Sequence, residues 1–299
     1  MAFSATDAAL EGFKISRARP SAILAWAAVQ FGLVVLARLA MIWIVGAQAG
    51  AFFSLTPFSN PAEMMKLMSV ISRFFAADLA LSVIFYGILY SAVDRAVMRP
   101  GEGGWGWLGL GMDEARQIGV LACSALLLLA VYLAGAVAVQ ILALLLGLAL
   151  GAVGQGVALV VGITADLALV LWIGVRLSLA PPATFDRRRF VLLDTWALTR
   201  GRFWPLLGAY VISWLLSLLV LVLVWFIGAA IASVLPGAPA PGASQPQIGT
   251  TFASILEPQT IVALLFSALA GGMTTPLTLA PAAYAYRELA GAGAEKTFA

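Results

Sequence analysis

IGVLACSALLLLAVYLAGAVAVQILALLL, residues 118–146, carries no charged side chain. Crossing the ~30 Å hydrocarbon layer of a membrane takes ~20 mostly apolar residues, so this stretch spans with length to spare. Working outward from it, five more runs of the same kind appear, at about 21–48, 74–97, 154–180, 204–234 and 259–285. Lipid offers no partner for an open backbone N–H or C=O, and the runs are too long and too uniformly apolar for barrel strands. The pattern predicts an all-α, polytopic transmembrane helical bundle of six spans. The whole chain, 1–299, forms one membrane domain, with 1–20 and 286–299 as short tails. Ala47-Gln48-Ala49 has a cleavage-site pattern. The apolar run before it is longer than the 7–15 residues of a signal sequence, however, and is expected to remain as a span.

Composition agrees. The chain is 62% hydrophobic and 10% charged, with a mean hydropathy of +1.01, whereas soluble domains run to about a quarter charged. There is no histidine, which removes Ser-His-Asp and Cys-His catalysis, histidine-ligated metals and histidine proton relays. The one cysteine, Cys123, permits no intrachain disulfide or multi-cysteine metal site and is expected to be a small buried apolar group. Neither a metal nor a cofactor is expected. The acidic candidates for an interfacial enzyme are Asp113-Glu114 and Asp186/Asp194. Adjacent residues on a helix point about 100° apart, so Asp113 and Glu114 should not converge, and the chain reads as a non-enzyme.

Lysine and arginine set the orientation. With the N-terminus inside, the cytoplasmic segments hold Lys14, Arg17, Arg19, Arg95, Arg99, Arg116, Arg176, Arg187, Arg188, Arg189, Arg200, Arg202, Arg287 and Lys296, which is 14 of the 17 basic residues. The outer segments hold Lys66 and Arg73. Both termini are therefore expected in the cytoplasm, with the chain in a bacterial cytoplasmic (inner) membrane.

The loops differ in character. Asn60, Pro61 and Glu63 form an N-cap signature ahead of Met64, Met65, Leu67, Met68 and Ile71, predicting a short amphipathic helix on the outer surface; a Met-rich soft-metal face is the functional alternative. Gly147, Gly151, Gly154 and Gly156 join the third and fourth spans without a charge, which implies a tight hairpin. Residues 236–250 are rich in Pro, Gly and Ala and are expected to be a flexible outer loop.

Three ionisable residues fall at membrane depth: Arg38, Asp78 and Asp166. An ionised side chain there costs at least ~2.5–3.5 kcal/mol and faces a partner or a wet cavity. Arg38 can pair with Asp166 or with Asp78, as a structural lock or as part of a polar pathway.

The inner loops combine charge with interfacial aromatics. Arg187, Arg188, Arg189 and Arg200, with Trp196 and Trp204, are candidates for contacting anionic lipid headgroups, each arginine contributing ~1 kcal/mol near the surface. The competing reading is that they only orient the helices. The basic residues are divided among short loops and form no single face, so nucleic acid is not an expected partner. LSLAP (177–181) and LTLAP (277–281), with a looser match in Arg95–Pro100, suggest three repeated helical hairpins, although each proline also reads as a helix stop at the interface.

The stretch VRLSLAPPATFDRRRFVLLDTWALTRGRFWPLLG, 175–208, resembles poorly characterised six-span bacterial inner-membrane proteins. It is similar to the membrane domain that precedes the catalytic domain of some glycerophosphodiester phosphodiesterases. The family's pattern of small residue, Trp, x, Leu-Thr, basic-Gly, x, aromatic stands here as Thr195 to Trp204. Arg95 to Pro100 followed by Asp113-Glu114-Ala115-Arg116 also fits, and the resemblance covers about residues 20–290. It implies a membrane module tied to envelope or lipid homeostasis. No catalytic residue carries over, because the phosphodiesterase domain is absent and its histidine chemistry has no counterpart. The expected function is a non-enzymatic module binding membrane lipid or a protein partner; the alternative is a transporter or channel around Arg38 and Asp166.

Overall fold

The structure, a computed structural model, describes residues 4–46, 61–102, 104–234 and 252–298. The described residues are helical, with no strand among them. The α-helices are α1 (Ala5–Ala18), α2 (Pro20–Val45), α3 (Pro61–Met98), α4 (Met112–Leu177), α5 (Ala180–Arg187), α6 (Thr195–Leu198), α7 (Phe203–Ser233) and α8 (Pro258–Phe298). Five helices are long and apolar enough to cross a membrane: Pro20–Val45, Met64–Met98, Met112–Arg187, Phe203–Ser233 and Pro258–Gly291. The chain is a multi-pass helical membrane protein.

The third and fourth expected runs share α4, which is folded back on itself. Within its 66 residues one residue leaves helical geometry, Gly151, at φ 69° and ψ −157°. A side chain resists that combination, and glycine takes it without steric cost. Gly147 then meets Gln155, Leu146 meets Gly154, Val139 meets Gly162, and Gly135 meets Asp166. Each pair is nearly equidistant from Gly151, so the two limbs run antiparallel.

Lipid tails are as apolar as leucine, so apolar surface alone does not press membrane helices together; close approach at small residues does. Here α8 is the hub, packing against α2, α7, α1 and α3. A Cβ on Gly272 would stand 2.7 Å from the Ala27 nitrogen and from the Ile23 carbonyl oxygen. One turn on, Gln30 Nε2 donates to Thr275 Oγ1 at 3.3 Å. Pro276 and Pro281 both lie inside α8. The reading of a helix stop therefore fails at Pro281, while Pro100 follows the end of α3 and Pro181 sits in the first turn of α5, where a missing N–H is harmless.

The N-terminal segment, expected as a tail, folds as α1. Ser4 caps it by accepting from the Asp7 N–H at 3.2 Å, and Ala8, Ala9, Gly12 and Ile15 line the face buried against α8 and α7. Gly12 touches the Pro276 backbone, and Arg287 on α8 reaches Glu11 at 3.8 Å. The C-terminal segment is helical through Phe298, with Tyr286 and Leu289 buried. The expected amphipathic helix is continuous with α3: Leu67 and Val70 are buried, Val70 against Val45, while Met64, Met65 and Met68 point outward. Cys123 was expected to be buried and is exposed. Ala47–Ala49, Asn60 and the 236–250 loop lie outside the described residues.

Candidate functional site

Most of the arginines gather at one end of the bundle, called the basic end below. A buried cluster anchors it. There, Trp26 of α2 stacks on Trp107 with ring centroids 6.4 Å apart, packed with Leu89, Val93 and Ala283. The segment holding Trp107 is a one-turn 3-10 element, Trp105–Trp107, with Gly106 at φ 64° and Trp107 itself at φ 55°. A positive φ at tryptophan is strained, and hydrogen bonds hold it there. Trp26 Nε1 donates to the Gly106 carbonyl at 2.9 Å, and Trp107 Nε1 donates to the Pro100 carbonyl at 3.2 Å. Arg19 lies over the Trp107 ring at 4.7 Å.

Beside these rings runs a polar network. Arg95 of α3 donates to the Trp107 carbonyl and, through Nη2, to Glu114 Oε1 at 2.8 Å. Ser91 donates to the same carboxylate oxygen at 3.1 Å. One turn further along α4, Gln117 Nε2 donates to Asp94 Oδ2 at 2.7 Å and to the Pro181 carbonyl at 2.9 Å. The network ties α3, α4, α5 and the Trp105–Trp107 loop to one another. Asp113 and Glu114 turn to different partners, since Asp113 takes Arg116 at 2.8 Å.

The Arg187–Arg189 cluster ends α5. Thr184 Oγ1 donates to the Val191 carbonyl at 3.0 Å and accepts from the Val191 N–H at 3.1 Å, which closes the turn between them. Arg187 and Arg189 share Asp194, at 3.9 and 3.7 Å. Arg188, between them, is left-handed at φ 51° and points away from that pair into a separate cleft. Trp196 packs edge-on against Trp172 at 5.5 Å, and Arg176 lies over both rings at 4.5 and 5.1 Å. Trp204 is 76% exposed and Arg200 is exposed. Of the sequence candidates, Arg187, Arg188, Arg189, Arg200, Trp196 and Trp204 therefore share the basic end, with the first three split between two environments.

The membrane-depth residues do not come together. No ion pair of the described residues joins Arg38 to Asp166 or to Asp78. Arg38 lies near Met41, with Nη1 3.9 Å from its sulfur. Asp166 is only 7% exposed, pressed against Gly135 of the facing limb, and its Oδ1 lacks a hydrogen-bond partner. Asp78 lines an apolar groove of ≈ 910 Å³ between α3 and α4.

Sequence reasoning passed over Arg95, Ser91, Asp94, Gln117 and Trp107 as site residues. The available signal was the density of polar side chains in 91–99 and 113–117, at the facing ends of two otherwise apolar runs. No group of three or more His, Cys, Asp or Glu able to hold a metal occurs among the described residues. Compared with known proteins, the chain matches no family model, no curated protein and no solved structure.

Proposed function

We propose that this protein is a non-enzymatic six-span module of the bacterial cytoplasmic membrane, with both termini in the cytoplasm, and that its basic end binds membrane lipid in envelope or membrane homeostasis. The carrying observation is the composition of that end. Arginines from four segments stand among exposed apolar side chains, Trp105, Leu110, Phe190, Leu193 and Trp204, as suits a surface at headgroup level. The bias of 14 of 17 basic residues toward one side supports the orientation. The antiparallel fold of α4 at Gly151 supports counting its limbs as two crossings, and the resemblance of residues 175–208 supports the membrane context. A protein partner on the same face is the variant of this reading.

The experiment is native mass spectrometry of the gently purified protein, with and without Arg187, Arg188 and Arg189 replaced by glutamine. We expect co-purifying phospholipid on the native chain and at least a tenfold drop in occupancy for the triple variant. Undiminished lipid would overturn the assignment to this cluster. A second reading, a transporter or channel using the Arg38 and Asp166 region, draws on the unpartnered Asp166 Oδ1. It requires that Asp166→Asn alter flux in proteoliposomes while leaving the protein folded, and an unchanged flux removes it.

A further inference from the structure

A cleft of ≈ 460 Å³ opens at the basic end between the 109–111 loop, the first turn of α4 and the end of α5. Three guanidinium groups from three elements line it: Arg95, Arg116 and Arg188. So do two carboxylates, Asp113 and Glu114. Their commitments differ. Arg95 is spent on Glu114 and the Trp107 carbonyl. Arg116 uses one nitrogen, Nη1, on Asp113, and both side chains stay partly open to solvent. Arg188 enters from a left-handed backbone position and belongs to no ion pair among the described residues. The cleft thus offers one uncommitted cation, one half-used cation and one half-used carboxylate.

Its rim is apolar. Leu110 is 88% exposed and Met112 67% exposed. Large apolar side chains so placed at a mixed-charge cleft suit an amphiphile better than a soluble ion. The two signs of charge narrow the headgroup. A simple anion would put its phosphate beside the Asp113 carboxylate uncompensated. A quaternary ammonium has no N–H to give that carboxylate. A phosphate carrying a primary ammonium answers both charges with hydrogen bonds.

We propose that this cleft seats the headgroup of an amine-bearing glycerophospholipid of the phosphatidylethanolamine type, with the phosphate on Arg188 and Arg116, the ammonium on Asp113, and the acyl chains leaving past Leu110 and Met112. This rests on the lipid-binding reading above and specifies its site.

The test uses the full-length protein, delipidated in mild detergent and titrated with phosphatidylethanolamine, phosphatidylglycerol and phosphatidylcholine of matched acyl chains, with occupancy read by native mass spectrometry. The native chain should prefer phosphatidylethanolamine about tenfold over both others, as one charge-assisted hydrogen bond provides. Arg188→Gln should weaken phosphatidylethanolamine and phosphatidylglycerol alike. Asp113→Asn removes the ammonium's partner and frees Arg116, so it should raise phosphatidylglycerol to at least the level of phosphatidylethanolamine. Equal binding of the three lipids to the native chain would overturn the proposal without recourse to any variant. So would an ethanolamine preference untouched by Asp113→Asn. If neutralising Arg187–Arg189 releases lipid while headgroup preference ignores Asp113, only the cleft falls. If no phospholipid binds the native chain, the lipid-binding reading falls with it.

Discussion

The basic end and the α4 hairpin are made from the same chain under opposite rules. At the basic end, side chains from α2, α3, α4 and α8 and a backbone carbonyl of α5 interlock through two tryptophans and a hydrogen-bonded polar network. Along the hairpin, leucines and valines point outward, and only 11% of the most apolar window of α4 is buried, against 39% for α8. The hairpin is the more hydrophobic of the two, and it is the less buried. Water would force such a surface inward, whereas hydrocarbon leaves it where it is. Polar groups carry the organisation instead, because each one at the edge of a membrane needs a specific partner.

The largest effect should come from breaking the basic end at its pivot. Arg95→Ala leaves Glu114, whose side chain is 5% exposed, as a carboxylate without its cation, at a cost of ~3–5 kcal/mol. Equilibrium unfolding in denaturing detergent measures this. The paired replacement Arg95→Met with Glu114→Leu should recover most of the loss. No recovery would mean that Arg95 acts through the Trp107 carbonyl rather than through Glu114.

A smaller effect is expected at the hairpin tip. Gly151→Ala forces a Cβ into a backbone region that is nearly glycine-only, costing ~1–3 kcal/mol. Nothing lies within 4 Å of a Cβ built there, so the penalty is conformational and not steric contact with a neighbour. Insertion of two flexible residues after Gly151 should therefore relieve it. A silent Gly151→Ala would show that the tip tolerates another turn geometry.

The smallest effect belongs to α1. Lys14 bonds Glu11 at 3.1 Å with its own side chain 58% exposed. The hydrogen bond to Glu11 raises its pKa above the ordinary lysine value, with burial working the other way. Exposed pairs of this spacing are worth ~0.2–0.5 kcal/mol, so Lys14→Ala should shift the unfolding midpoint barely at all. Losing more than ~1 kcal/mol would point instead to its contact with the Tyr284 ring, 5.7 Å away.

Much of the fold is legible in the sequence. Span lengths follow from lipid thickness, and α2, α7 and α8 begin within a residue or two of the apolar runs that announced them. The tight turn between the third and fourth runs was readable from its glycines, although which one carries the positive φ was not. Arg187 to Arg189 were recognisable as an exposed cluster because three adjacent cations have no other place to go. That Arg38 and Asp166 stay apart was not recoverable, because charge complementarity along a sequence says nothing of which helix faces which. Asp166 found the gap left by Gly135, a shape match between residues 31 positions apart.

What the sequence determined by itself is everything set by the solvent: helices because lipid satisfies no backbone group, their lengths because the layer has a thickness, and one basic side because charges segregate there. The tertiary structure alone decided which small residues let helices touch, as at Gly12 on Pro276 and Gly272 on Ile23 and Ala27. It alone turned Arg188 away from its two neighbours and brought Arg95, Glu114, Gln117 and Asp94 into one network. Solvent preference acts on each residue singly and can be read one residue at a time. Contacts of a few ångströms depend on pairs, and pairs exist only once the helices have taken their places.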